Sequence, residues 1–388
     1  MLNFDYDIPT KVFFGKGQLG KLGPEMKKYG DRLLLVYGGG SIKRTGLYAQ
    51  VLDMLRENGI YWQELSGVEP NPRIESVREG ADICKRESLQ MVLAVGGGSS
   101  IDCAKYVAAA ANYDGDAWDL CIDKSKIKKV LPVFSVLTLA ATGSEMDCGG
   151  VITNLATYEK IGGGVADQRP KASVLDPTYT FTVPANQTAA GTVDIMSHTM
   201  ETYFNRTPGT YFQDRMAEAI LKTCIHYGPI AIQQPDNYEA RANLMWASSW
   251  AINDFLADGK ANVWTVHPIE HELSAFYDIT HGVGLAILTP RWMKYVLRDE
   301  TVQKFVEYGV NVWGISPDQD PFSIANEAIR KTEQFFFEEL KIPSTLTQLG
   351  IGNENFERMA KKVRQVALDD GFVKLTWEDV VEIYKACL

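Results

Sequence analysis

Met91-Val92-Leu93-Ala94-Val95-Gly96-Gly97-Gly98-Ser99 decides how the first half of this 388-residue chain is read. Met91 to Val95 is a short apolar run with the length of a buried strand, and the glycines end it. Ser100 to Ala111 then has the composition of a helix. Strand, glycine turn and helix in that order leave backbone N–H groups and a helix N-terminus free to hold a pyrophosphate. Glycine suits the turn because a Cβ would block close approach. The run is also compatible with a purely structural turn. Leu33 to Tyr37, followed by Gly38-Gly39-Gly40-Ser41 and a helical stretch from Thr45 to Asn58, repeats the pattern. A third run, Val133 to Leu137, leads into Thr138-Leu139-Ala140-Ala141-Thr142-Gly143-Ser144-Glu145. Those hydroxyls suit ribose or phosphate contacts, or the capping of a following helix. Repeated strand–turn–helix units predict a mostly parallel sheet, hence a Rossmann-like α/β domain.

Two features refine the ligand. A literal G-x-G-x-x-G, Gly15 to Gly20, reads as a plain turn, because Leu34 to Tyr37 stand where an acid should follow about 20 residues on. The turn Gly38–Ser41 also lacks the carboxylate that accepts hydrogen bonds from an adenosine 2′-hydroxyl. Its glycines, the Ser41 hydroxyl and nearby Lys43 suit a 2′-phosphate, which points to NADP(H). Asp102, in the first turn of its helix, either caps it or bonds a ribose hydroxyl.

The pattern changes near Pro184. Beyond Asn186 the chain is rich in Ala, Glu, Met and Leu, and Phe212–His226, Tyr238–Leu256 and Pro321–Leu340 have helical length and periodicity. The boundary is placed in Thr182-Val183-Pro184, giving an α/β domain over 1–184 and an all-α domain over 185–388. Four of the five histidines lie in the helical half within two clusters, Asp194-x-x-x-His198 and His267, His271, His281. Residues four apart share a helix face, and imidazole is the commonest metal-binding side chain. Asp194, His198, His267, His271 and His281 therefore predict a divalent metal site built from separate helices, with His267-Pro268 at a first turn or kink. His226 stands apart and is given no role. A cleft between the halves is the expected reaction site.

Composition excludes several classes. A net charge of −10 argues against a nucleic-acid or anionic-membrane partner. The six cysteines form no C-x-x-C pair, so no zinc knot or thioredoxin-type site is expected. Met1 to Pro9 lacks a basic and an apolar region, and no run reaches the roughly 20 apolar residues of a membrane helix. The expectation is a cytoplasmic protein with reduced thiols.

Taken in order, these motifs resemble the iron-containing (group III) alcohol dehydrogenases, in their NADPH-dependent butanol dehydrogenase and aldehyde reductase branch. The resemblance runs from Pro9-Thr10-Lys11-Val12-Phe13-Phe14-Gly15 through Gly67-Val68-Glu69-Pro70-Asn71-Pro72, Ala94–Ser99, Thr138–Glu145 and Val174-Leu175-Asp176-Pro177 to the histidines. It implies a dehydroquinate synthase-like fold, with metal ligands Asp194, His198, His267 and His281, and His271 as a proton relay near the nicotinamide. It implies cofactor contacts at Gly38, Gly39, Ser41, Asn71, Gly97, Gly98, Ser99, Asp102, Thr138, Thr142, Lys160 and Tyr179. Asp147 is a further contact position, where aldehyde-reductase relatives often carry asparagine. Gly39 is where NAD-preferring relatives carry an acid. It also implies a homodimer.

The expected reaction is hydride transfer between NADP(H) and a short aldehyde, with Fe(II) or Zn(II) as Lewis acid. An NAD-dependent polyol dehydrogenase on the same fold is the alternative. An all-α metal phosphohydrolase needs a His-Asp dipeptide, and every histidine here is followed by something else. A non-catalytic nucleotide-binding protein gives no reason for the metal cluster.

Overall fold

The computed structural model describes residues 1–388. Eight strands form: β1 (Lys11–Phe14), β2 (Arg32–Tyr37), β3 (Tyr61–Leu65), β4 (Met91–Gly96), β5 (Val133–Leu137), β6 (Gly149–Asn154), β7 (Glu159–Gly164) and β8 (Ala172–Leu175). Six of them make one sheet in the order β1-β8-β5-β4-β2-β3, and β6 and β7 pair as an antiparallel hairpin. Every pairing in the six-stranded sheet is parallel.

Helices α1 (Leu47–Glu57), α2 (Ile74–Arg86) and α3 (Gly98–Ala110) belong with this sheet. Its central strands are covered on both faces, which is why they read as unbroken apolar runs. Leu33, Leu35 and Tyr37 of β2 pack with Leu47, Val51 and Leu55 of α1. Leu34 and Val36 point the other way, among Val77 of α2 and Ile101 and Val107 of α3. The strand order reverses direction between β2 and β4, and at such a switch point an open α/β sheet leaves a crevice beyond its carboxyl ends. Tyr37 pairs with Val95, so Gly38 and Gly96 emerge side by side there.

The second half is helical: α4 (Ala185–Tyr203), α5 (Tyr211–Gln233), α6 (Tyr238–Ile252), α7 (Val266–Tyr277) and α8 (His281–Val296), then helices to Ala386. The chain divides into two compact units, one of 7–183 and 235–253, the other of 1–6, 184–234 and 254–388. This corrects the expected domains of 1–184 and 185–388 at two places. Residues 1–6 leave the α/β unit, and α6 joins it. The α6 helix docks on the loop after β5. Gly143 lies in the left-handed region at φ +65°, and a Cβ there would fall 2.4 Å from the Ser248 carbonyl oxygen. Ser249 donates to the buried Glu145. Helical periodicity shows that α6 is a helix and says nothing about which core takes it. No helix is long and apolar enough to cross a membrane.

Candidate metal centre and cofactor turns

Helix α4 is buried from Thr188 to Tyr203, so its polar side chains need partners. Its threonines find them locally: Thr192 and Thr199 donate to the carbonyls of Thr188 and Ile195, each at 2.8 Å. Asp194, His198 and Glu201 share the next face, at i, i+4 and i+7. His267 enters the first turn of α7, where the missing N–H of Pro268 costs nothing. His281 opens α8 after a tight reversal, in which Asp278 ends α7 in the left-handed region. Gly282 lets that helix start come close: a Cβ there would lie 2.1 Å from the Ala190 carbonyl oxygen.

These three helix segments set three imidazoles around Asp194, and the ligand atoms of Asp194, His267 and His281 all lie within 4.8 Å of one another. Asp194 Oδ1 lies 3.6 Å from His198 Nε2, 3.9 Å from His267 Nε2 and 3.7 Å from His281 Nε2. Tetrahedral ligands at about 2.1 Å from a cation stand about 3.4 Å apart, so the distances from Asp194 are a little wider than a bound cation would set. Asp194 Oδ1 and His267 Nε2 are buried with no hydrogen-bond partner. A buried acceptor left that way is costly unless a cation completes it.

For two of the three rings, those of His267 and His281, a carboxylate on the far side fixes the tautomer. His267 Nδ1 meets Glu201 Oε1 at 2.9 Å, and Glu201 also accepts the backbone N–H groups of His267 at 2.7 Å and Thr265 at 2.8 Å. His281 Nδ1 meets Glu270 Oε2, and Glu270 Oε1 accepts from Ser274. A carboxylate beyond Nδ1 keeps the proton there and turns the Nε2 lone pair inward, as metal-bound histidines require. The electrostatics agree. Burial alone would raise the Asp194 carboxyl, but the facing imidazoles of His198, His281 and His267 outweigh it and hold it far below the usual range. Burial pushes His198 down to about 3 despite the pull of Asp194. At His267 burial is overcome by Asp194 and Glu201, and its pKa is pushed up to about 9. An anionic Asp194 beside a neutral His198 is a donor pair that suits a cation. His271 takes no part in this convergence. Its ring lies 5.6 Å from that of His281, and it is partly exposed. His226 is exposed and packs on Tyr227.

The sequence-predicted cofactor residues follow the carboxyl ends of the strands: Gly38, Gly39 and Ser41 after β2, Asn71 after β3, Gly97–Ser99 after β4, Thr138 and Thr142 after β5, and Tyr179 after β8. Thr138 N–H donates to the Gly96 carbonyl at 3.0 Å, which joins two of the turns. Gly97 is the N-cap of α3 with no side chain on its N–H groups, so the helix start stays open to an anion. A Cβ at Gly98 would strike Thr142 Oγ1 at 2.3 Å, so this turn requires glycine. Lys160 is buried on β7, opposite Thr153. Asp147 closes a turn onto Gly149 N–H at 2.8 Å. Asp102 does not cap its helix. Its buried carboxyl accepts from Val151 N–H at 2.9 Å and from the Ser144 hydroxyl, tying α3 to the β6–β7 hairpin. Burial pushes its pKa up to about 6, against the pull of Lys105. Lys43 turns its ammonium onto the rings of Tyr48 and Tyr37, 4.7 and 5.1 Å from their centroids. The G-x-G-x-x-G is a plain turn, with Gly17 N–H donating to Asp176 at 2.7 Å.

Residues 9–177 match the family model for iron-containing alcohol dehydrogenase, and residues 188–388 match that for the C-terminal part of the same family. The chain belongs to the iron-containing alcohol dehydrogenase family. NADH-dependent butanol dehydrogenase A of Clostridium acetobutylicum is 60% identical over 387 residues, covering 99% of each chain. NADPH-dependent aldehyde reductase YqhD of Escherichia coli is 39% identical, covering 94% of each. The crystal structure of NADH-dependent butanol dehydrogenase A from Thermotoga maritima superposes with a TM-score of 0.94 at 41% identity, covering 100% of this chain and 99% of that one. Membership in this alcohol dehydrogenase family accounts for a parallel sheet joined to a helical half and for an enzyme that interconverts alcohols and aldehydes. Two residues of this iron-containing alcohol dehydrogenase escaped the sequence reading, Glu201 and Glu270. Each stands three residues after a histidine, His198 and His267, and that helical spacing was the available signal.

Proposed function

We propose that this protein is a metal-dependent, NADP(H)-linked aldehyde reductase and alcohol dehydrogenase interconverting short-chain aldehydes such as butanal and primary alcohols. The convergence of Asp194 Oδ1 and three Nε2 atoms, in a chain of this family, carries the reading. Asp194 and the imidazoles of His198, His267 and His281 would hold one Fe(II) or Zn(II), since an oxygen-and-nitrogen set suits both. Bound cation and nicotinamide supply Lewis acidity toward an alcohol or carbonyl oxygen and a hydride acceptor or donor, respectively. The chain's own residues do the rest. Glu201 and Glu270 orient two of the rings. The N–H groups at Gly97–Ser99 receive a pyrophosphate. His271 is partly exposed beside His281, and is assigned to pass a proton to or from the substrate oxygen.

Preference for NADPH over NADH rests on the absence of a carboxylate at Gly38–Ser41. NADH use has support of its own, since the 60%-identical Clostridium protein is an NADH-dependent butanol dehydrogenase. A homodimer and a cytoplasmic location complete the proposal, the former open to light scattering. NADPH oxidation with butanal should vanish in His267→Ala and in chelator-treated protein, and return to the latter with added metal. Full rate in both would refute the metal role, and a higher kcat/KM with NADH would refute the cofactor assignment.

A further inference from the structure

The groups around the metal centre differ in exposure. Asp194, His198, His267, Glu201 and Glu270 are buried. His271, His281 and Trp264 keep part of their surface. Within this set, solvent therefore reaches these three side chains. Trp264 is the one apolar side chain among them, and nothing in the reading above uses it.

The indole centroid lies 4.7 Å from the His267 ring at an interplanar angle of 52°, and 5.4 Å from the His198 ring at 42°. Those two imidazoles are themselves stacked, 4.7 Å apart at 17°. Trp264 thus leans on two of the four groups proposed to hold the cation. It belongs to the coil just before α7, and the next residue is held twice: Thr265 N–H donates to Glu201 at 2.8 Å, and its hydroxyl to the Ala367 carbonyl at 3.2 Å. A large, rigid ring with only two side-chain torsions, fixed beside the metal ligands, forms a wall that does not yield to bulk.

We propose that Trp264 is a specificity-determining residue that walls the substrate site beside the carbonyl carbon and selects unbranched aliphatic aldehydes over those branched at the adjacent carbon. This rests on the aldehyde-reductase reading above. A bare structural role would predict instead that the indole only props His198 and His267.

The test compares Trp264→Ala and Trp264→Phe with the wild type. Butanal and 2,2-dimethylpropanal are the substrates, and Co(II) quenching of tryptophan emission is a second readout that needs no turnover. Zn(II), which does not quench, serves as the control. The ratio of kcat/KM for 2,2-dimethylpropanal over butanal should rise by about tenfold or more in Trp264→Ala, the scale of steric discrimination by a pocket wall. Trp264→Phe should fall between. Co(II) should quench the wild type, and Trp264→Phe should lose most of that quenching while competing for Zn(II) as the wild type does. An unchanged substrate ratio would overturn the wall, as would equal loss on both aldehydes accompanied by weaker metal binding. Failure of the wild type to reduce either aldehyde would overturn the underlying functional reading instead, and the quenching difference would still locate the indole.

Discussion

Glu201→Gln isolates the support behind one metal ligand. The Glu201 side chain accepts three N–H groups, those of Thr265 and His267 in the backbone at 2.8 and 2.7 Å, and His267 Nδ1 at 2.9 Å. Glutamine keeps the shape but offers one acceptor oxygen and turns an NH2 group toward a donor. A hydrogen bond to a charged acceptor contributes about 1.5–3 kcal/mol and a neutral one about 0.5–1.5, so the grip on His267 weakens even where the oxygen stays in place. One mispaired buried donor costs a further ~1–3 kcal/mol of folding stability. Losing the partner of a metal-bound histidine lowers metal affinity about 10- to 100-fold. That corresponds to about 1.4–2.7 kcal/mol. Zn(II) competition against a chromophoric chelator measures the loss of affinity. Urea unfolding of metal-free protein measures the loss of stability. A variant that folds stably and binds Zn(II) as tightly as the wild type would refute the argument that Glu201 holds His267 for the cation.

Gly39→Asp should shift preference from NADPH toward NADH. A Cβ at Gly39 meets nothing within 4 Å, so the carboxylate enters without strain, and an unchanged ratio of kcat/KM for the two cofactors would contradict the 2′-phosphate reading. Gly282→Ala should be far more harmful than a helical Gly-to-Ala change elsewhere. Its Cβ would lie 2.1 Å from the Ala190 carbonyl oxygen, and overpacking of this kind costs about 1–3 kcal/mol, so both urea stability and Zn(II) affinity should fall. Chelation should lower the Tm of the wild type, because a ligand at 100 times its Kd adds about 2.7 kcal/mol. In His267→Ala the same treatment should leave the Tm nearly unchanged.

The legible parts of the sequence share one physical property. Strands β2, β4 and β5 are covered on both faces, so Leu33–Tyr37, Met91–Val95 and Val133–Leu137 appear as apolar runs, and the structure extends the first two by a single residue each. Strand β3 lies at the sheet edge with Tyr61 exposed and only Leu65 buried, and no run marks it. The β6–β7 hairpin is glycine-rich and equally silent. The helix at Tyr238–Ile252 was visible as a helix, but its place in the sheet-bearing unit depends on a backbone approach at Gly143 that no periodicity encodes. At the site, His198, His267 and His281 each place Nε2 within 3.9 Å of Asp194 Oδ1, because Asp194 and His198 share one helix face and the tight reversal at Asp278 brings α8 back onto α7. Glu201 and Glu270 were missed because a carboxylate at helical spacing on a polar helix usually means a solvated face. Only the burial of α4 and α7 gives them a different task.

The most direct test of the metal centre is anomalous diffraction from crystals of the protein loaded with Zn(II) or Fe(II), collected at the metal edge. One strong peak per chain, bound by Asp194 Oδ1 and the Nε2 atoms of His198, His267 and His281, is the predicted result. A chain that reduces butanal with no peak there, or with its metal held elsewhere, would contradict the account.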